Sequence, residues 1–185
     1  MKRNYWPLLF IGIFSFTFAM IIWTIVNATK VPVHEDKSFI KTYQDVDMNY
    51  NNIMNSNNDF MKKYEMNIKL NGKEIEFSTD DIMYSQRVLE KFSKHKGLLK
   101  KGNNTLEIVA LNKESNEKST IDIALKVTKS ISDKDDIDFT SSDFTNNEKT
   151  YTTTFEIKEL NNWNITGSFS IDGNVGYIFI KTNAI

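Results

Sequence analysis

The chain has 185 residues, a formal net charge of -1 and no cysteine. Its composition is that of a globular protein, and the missing cysteine excludes a disulfide scaffold, a thiolate metal site and a cysteine nucleophile. The near-neutral charge and the pI of about 6.1 argue against a nucleic-acid partner, because nucleic-acid binders normally carry an excess of basic residues.

The first element in the chain is a run of 20 residues without a charge, from Pro7 to Val26. As an α-helix this run spans roughly 30 Å, the thickness of the hydrocarbon core of a bilayer. Trp6 and Trp23 stand near its two ends, as residues of an aromatic belt do. We therefore expect residues 1–30 to form a transmembrane anchor. A signal peptide cleaved after Ala28 is the alternative.

The charges that flank this run predict its orientation. Lys2 and Arg3 precede it, whereas the basic residues just after it are offset by Glu35 and Asp36. The positive-inside rule then places the N-terminus in the cytoplasm and everything after Val26 outside. An exported domain without cysteine is consistent with a bacterial envelope, so we expect a bacterial inner-membrane protein with its C-terminal domain in the periplasm. The part after Lys30 carries a charge of -4, since three of the 23 basic residues precede it, and this is ordinary for a solvated domain.

One face of the predicted anchor carries small residues. Gly12, Ser15 and Ala19 are spaced three and four apart, so a helix brings them onto one stripe. Small residues allow two helices to approach closely in lipid. These three residues are candidate contacts with a membrane partner.

Residues 31–64 are expected to form a connector and a juxtamembrane helix. Aromatic and apolar residues recur there at helical spacing, namely Phe39, Tyr43, Val46, Tyr50, Ile53, Phe60 and Tyr64. The asparagines clustered between residues 49 and 58 favour fraying or a break. This helical face could pack against its own domain, a partner or a second copy. Tyr43 and Tyr50 are therefore candidate partner contacts.

Residues 65–185 have the alternating pattern of a mainly β domain. Asn71-Gly72 lies between the alternating segments 66–70 and 73–77, and Asp172-Gly173 lies between 163–171 and 175–181, so both dipeptides predict hairpin turns. The remaining predicted strands cover 105–111, 121–127 and 151–157, with the first two paired to each other. Residues 80–96 fit either a helix or a strand, and 130–147 form an acidic loop. We expect a small antiparallel, immunoglobulin-like β-sandwich after the anchor and the helical stalk.

The sequence contains no recognisable catalytic motif, so we expect neither an enzyme nor a bound cofactor. His34 and His95 are isolated in polar sequence and are interpreted as solvated residues. Asp133 to Asp138 resembles a calcium loop but lacks its glycine and closing glutamate, which favours a solvated acidic loop. A thioether copper(I) site remains an alternative, with the candidate ligands Met48, Met54, Met61 and Met66.

The order of these features resembles the FixH family. The features that carry the resemblance are Trp6-Pro7 at the start of the anchor, Thr42-Tyr43-Gln44 and Asn49-Tyr50-Asn51 in the juxtamembrane helix, Trp163-Asn164-Ile165 in a late strand, and the final hairpin from Asp172-Gly173. The likeness spans most of the chain but does not extend to residues 80–101 or 130–147.

This resemblance implies a role in the assembly or maturation of a cbb-type cytochrome c oxidase. The partners that it implies are subunits of that oxidase or a copper-transporting ATPase, contacted through the anchor and the juxtamembrane helix. The family has no enzymatic motif to carry over. A membrane-anchored periplasmic binding module with no oxidase role would share the features derived from the residues, and it stays open as the alternative.

Overall fold

The computed structural model of the chain describes residues 5–30, 43–84, 94–130 and 132–185, with the side chains of 43–49, 132 and 133 outside the description. The chain divides into two compact units, residues 1–34 and 35–185. The predicted domain 65–185 therefore belongs to the same unit as the part of the predicted segment 31–64 that follows residue 34.

The first unit contains the helix α1, Trp6–Ala28, and none of its residues is buried. Pro7 lies in its first turn, where a missing N–H costs no hydrogen bond. Thr17 and Thr24 donate their hydroxyl hydrogens to the carbonyls of Ile13 and Met20, at 2.9 and 2.8 Å, which satisfies these polar groups within the helix. The predicted anchor is thus a helix long and apolar enough to cross a membrane.

The second unit is mainly β, as predicted, and consists of two antiparallel sheets. One sheet has the strand order β2-β1-β3-β7-β6 and the other β5-β4-β8-β9. Inward-facing side chains of both sheets form one continuous hydrophobic cluster. The strands are β1 Tyr64–Leu70, β2 Lys73–Ile75, β3 Gly102–Asn112, β4 Asp122–Lys129, β5 Ser132–Thr140, β6 Thr145–Asn147, β7 Thr150–Ile157, β8 Asn162–Ile171 and β9 Asn174–Asn183.

Both predicted hairpin turns are confirmed. Asn71 and Gly72 have φ values of 53° and 78°, and Asp172 and Gly173 have 48° and 76°. Two consecutive positive φ values are the mark of a type I′ turn, whose twist matches that of the flanking strands. These turns set the register of β1 with β2 and of β8 with β9.

The predicted pairing of 105–111 with 121–127 is wrong. These segments are β3 and β4, and they lie in different sheets: β3 pairs with β1 and β7, and β4 with β5 and β8. The charged segment between them carries the chain across the sandwich, where the Tyr151 hydroxyl accepts the N–H of Ile121 at 3.1 Å. An alternating pattern on both sides of a polar loop is common to a hairpin and to a crossover, so it does not distinguish them.

The expected acidic loop at 130–147 is also wrong, because this segment contains β5, a short 3-10 turn at Ser141–Asp143, and β6. Its acidic residues are compatible with a strand because lysines of the neighbouring strand neutralise them. Lys126 Nζ lies 2.7 Å from Asp138 Oδ1, and Lys129 pairs with Asp135.

The helix α2, Tyr43–Lys63, is continuous through the asparagine cluster and leads directly into β1. It packs mainly against β9, the edge strand of its sheet. Asn57 is fully buried, donates to the carbonyl of Tyr177 at 2.9 Å and accepts the N–H of the same residue. Its side-chain amide therefore replaces one residue of a missing neighbouring strand, and the helix packs against its own domain.

The ambiguous segment 80–96 begins as a helix. The helix α3, Thr79–Met83, starts after Ser78, whose hydroxyl accepts the N–H of Asp80 at 3.1 Å. Ile82 of this helix is buried and packs with Phe179 of β9 in a small hydrophobic cluster. Residues 85–93 lie outside the described residues.

We predict that Asn57→Ala destabilises the β domain by about 2 kcal/mol, because it leaves the N–H and C=O of Tyr177, which bond to the buried Asn57 amide, without these partners. Asn52→Ala is the matched control, since Asn52 is exposed on the same helix and alanine raises the helix propensity equally at both positions. Urea unfolding of the detergent-solubilised full chain, followed by far-UV circular dichroism, measures both variants. Equal stability of the two variants would contradict the role assigned to Asn57.

Candidate functional site

A cleft of about 450 Å³ lies beside β1. It exists because β1 has seven residues and β2 only three. The two strands pair only from Ile68 to Leu70, so none of the described strands lies beside the part of β1 from Tyr64 to Asn67 on that side. The cleft occupies the place that a longer β2 would fill.

The early end of β2 has a physical cause in Phe77. The sequence predicts a strand from Lys73 to Phe77, but the observed strand ends at Ile75. The ring of Phe77 packs against Phe60 and Phe169, with centroid distances of 5.8 and 6.0 Å. These aromatic contacts draw the chain away from the edge of β1, and α3 begins two residues later.

Polar and apolar surface line the cleft in similar amounts, and the apolar side chains come from three elements. Met61 comes from the last turn of α2 and Met66 from β1. Ile75 is the last residue of β2, and Phe77 follows it in the chain. At one end Lys113 donates from Nζ to the carbonyl of Met61 at 2.6 Å. A cation at the C-terminus of a helix is stabilised by the partial negative charge of the unpaired carbonyls, so Lys113 fixes that end of the cleft.

The rim of the cleft is acidic. Glu65, Glu74 and Glu76 line it, against the single lysine that is bonded to the helix end. Glu74 and Glu76 lie 3.9 and 4.0 Å from Lys69 and Lys94, and both carboxylates are more than two-thirds exposed. Such long, solvated ion pairs contribute little, so the carboxylates remain able to attract a cationic ligand.

The residues that the sequence marks as candidate partner contacts lie elsewhere. Gly12, Ser15 and Ala19 are exposed on α1, and no atom outside the local helix backbone lies within 4 Å of the position of a Cβ at Gly12. Tyr50 is half-buried on α2, and the side chain of Tyr43 lies outside the described residues. The described residues that line the cleft include none of these five.

The interpretation of His95 as a solvated residue is wrong. Its side chain is only 8% exposed, and its Nε2 lies 2.9 Å from Asp81 Oδ2 on α3. The lysine-rich local sequence concealed this burial, because the partner lies 14 residues earlier in the chain. His34 lies outside the described residues.

The structure brings two of the four candidate copper ligands to one place, since Met61 and Met66 both line the cleft. Met54 is half-buried elsewhere on α2, and the side chain of Met48 lies outside the described residues. Within the described ranges, no group of three or more histidines, aspartates or glutamates is arranged to hold a metal ion.

In the segment that resembles a calcium loop, Asp135, Asp136 and Asp138 of β5 form ion pairs with lysines of β4, and the side chain of Asp133 lies outside the described residues. Lys129 is nearly buried, contacts Asp135 and Glu159, and lies 5.8 Å from the centre of the Trp163 ring. The hydrogen bond from Lys129 lowers the pKa of Asp135. The same contacts raise the pKa of Lys129. These acidic residues therefore stabilise the sheet, and we assign them no ligand.

Comparisons with known proteins give no identification. No protein-family model matches the chain, and no curated protein matches it. The candidate site therefore rests on the geometry of the cleft.

We predict that Lys129→Met makes the stability of the β domain less sensitive to acid. In the native chain the folded pKa of Asp135 lies below its ordinary value of 3.8, so this group stabilises the fold above about pH 4 and loses that effect as the pH falls through the folded pKa. The variant lacks this contribution at every pH, so its unfolding free energy should fall less between about pH 5 and pH 3.

Lys100→Met is the control for this prediction, because it removes one exposed positive charge elsewhere. Urea unfolding at a series of pH values measures all three proteins. An identical acid dependence in the native chain and in Lys129→Met would contradict the assigned ion pair.

Proposed function

We propose that the protein is a single-pass accessory protein of a bacterial inner membrane that aids the assembly or maturation of a cbb-type cytochrome c oxidase through protein–protein contacts. Its N-terminus lies in the cytoplasm and its β domain in the periplasm. The observation that carries the proposal is α1, an apolar helix of 23 residues of which none is buried. Such a helix is suited to pack against the membrane helices of a partner, with Gly12, Ser15 and Ala19 on the contact face.

The choice of partner rests on the resemblance of the sequence to the FixH family. Trp6 and Pro7 open α1, Trp163 lies at the start of β8, and Asp172-Gly173 forms the turn of the last hairpin. The implied partners are oxidase subunits or a copper-transporting ATPase.

The second candidate function is a membrane-anchored binding module with no oxidase role. The cleft beside β1 favours it, because the domain then carries its own ligand site and α1 serves only to attach it. The two candidates differ in whether the sequence of α1 matters.

We predict that deletion of the protein lowers the amount of assembled cbb-type oxidase in membranes while the transcripts of its subunits stay unchanged. An assembly factor acts on subunits that are already made, so the defect should follow synthesis. Native gels stained for oxidase activity, haem spectra of membranes and transcript quantification measure this. Normal oxidase bands and normal haem spectra in the deletion strain would refute the proposed function.

We predict that leucine at all three small positions of the α1 stripe lowers oxidase assembly several-fold, because larger side chains prevent close approach of a partner helix. The matched control places three leucines on the opposite face of the helix and should leave assembly unchanged. The substitutions are Gly12→Leu, Ser15→Leu and Ala19→Leu in the test variant, and Ile13→Leu, Thr17→Leu and Ile21→Leu in the control.

Replacement of α1 by an unrelated transmembrane helix separates the two candidate functions. An assembly factor that packs through α1 loses function in this chimaera, whereas a pure binding module keeps it. Affinity purification of a C-terminally tagged chain in mild detergent then identifies the membrane proteins whose recovery depends on the native helix.

A further inference from the structure

Beyond the end of its pairing with β2, β1 has backbone groups that are directed toward the cleft and that a further strand could pair. Asn71 donates its N–H to the carbonyl of Thr105, and Lys113 donates its N–H to the carbonyl of Lys63. Odd-numbered residues of β1 therefore direct their backbone groups toward β3, and even-numbered residues direct theirs away from it. The N–H and C=O of Met66 thus face the cleft, where β2 no longer provides a partner.

Two other edges among the described strands are protected in different ways. Asn57 bonds to the outward backbone groups of Tyr177 on β9, and Ser56 donates to the carbonyl of Val175 at 2.6 Å. The edge strand β6 has only three residues, all exposed. Natural sheets usually protect an edge by such devices, because an open edge pairs with other chains. The edge at Met66 is instead accessible from a cleft.

We propose that this cleft binds an extended segment of a partner protein, in which apolar and basic residues alternate, as an added strand beside β1. Strand addition obtains affinity from the backbone groups and specificity from alternate side chains. The inference deepens the proposed function and rests on it for the kind of partner, a protein that the anchored chain contacts in the periplasm.

The alternation follows from the two faces of β1. Met66 points inward, where the added strand would meet the apolar side chains of Ile75 and Phe77. Glu65 and Asn67 point outward and are exposed. An added strand therefore places every second residue among apolar groups and the residues between them beside Glu65.

The charge of the rim selects the polar residues of the added strand. Glu65, Glu74 and Glu76 surround the cleft, and the ammonium group of Lys113 is already bonded to the end of α2. Lysine or arginine in the partner would meet these carboxylates, whereas acidic residues would be repelled.

The test measures binding of a fluorescent seven-residue peptide, Lys-Val-Lys-Val-Lys-Val-Lys, to the full chain in detergent micelles by fluorescence anisotropy. We expect saturable binding with one peptide per chain. A peptide with glutamate in place of each lysine is the charge control and should not bind. Two further peptides test the backbone contacts. One carries a methyl group on the backbone nitrogen of every valine, and the other carries one on the backbone nitrogen of every lysine.

The geometry distinguishes the two methylated peptides. In an antiparallel pair, directly opposite residues share a face, so the residue opposite Met66 is a valine whose N–H bonds to the Met66 carbonyl. Methylation of the valines should abolish binding, and methylation of the lysines should preserve it. The reverse selectivity would mean a parallel added strand and would equally support the proposal.

Substitutions in the chain test the location. Glu65→Lys should weaken binding about fivefold at low salt, because one favourable charge pair becomes a repulsion. Glu156→Lys is the matched control, because Glu156 is also exposed on this sheet but lies far from the cleft. On β3, Glu65 lies opposite Leu111 and Glu156 lies opposite Asn103, which is eight residues away. That separation is roughly 27 Å, beyond the range of screened charges.

Several results would overturn the proposal. These are absence of saturable binding, equal binding of the two methylated peptides, and equal weakening by Glu65→Lys and Glu156→Lys. Sedimentation that shows a dimer which the peptide dissociates would assign the edge to a second copy and would also overturn it. The binding assays test only the cleft, whereas the oxidase phenotype of a deletion strain tests only the proposed function. Either proposal can therefore fail without the other.

Discussion

The packing of Phe60 determines how the parts of the β domain fit together. Its ring is fully buried, lies 5.1 Å from the ring of Tyr64 and 5.8 Å from that of Phe77, and covers Gly176 of β9. A Cβ at Gly176 would come within 2.8 Å of this ring, so the helix can approach β9 only because residue 176 is glycine. One side chain thereby joins α2, the start of β1 and the last strand.

Two consequences at opposite edges follow from this packing. With α2 held against β9, Asn57 reaches the backbone of Tyr177 and closes the edge of the second sheet. With Phe77 drawn to Phe60, β2 ends at Ile75 and the edge of the first sheet stays open. The protected edge and the accessible cleft therefore have a common cause, which is the aromatic cluster at the end of α2.

Local patterns predicted the parts of this structure that depend on neighbouring residues. The charge-free run predicts the helix α1. The dipeptides Asn71-Gly72 and Asp172-Gly173 predict the two hairpins. Pairing across the sandwich was not accessible in this way, because β3 and β4 alternate as the strands of a hairpin do and yet lie in different sheets. The strand β5 was missed because its acidic residues look solvated until Lys126 and Lys129 are placed beside them.

The candidate site was missed for a related reason. The alternation from Lys73 to Phe77 continues past the point where the strand ends, and only the contacts of Phe77 with distant aromatic residues show why it ends there. A difference in length between two paired strands is a property of tertiary packing. The same holds for His95, whose partner Asp81 lies on another element.

On the proposed function, the anchor and the cleft act on the same partner complex, and this changes the affinity that each contact needs. A short added strand buries little surface and forms few hydrogen bonds, so alone it binds weakly. A second contact on the same chain raises the effective concentration of the first, provided that both can be made together. The open edge of β1 can therefore remain a weak site that does not attract unrelated strands in solution, and still be occupied when α1 has brought the domain to its partner in the membrane.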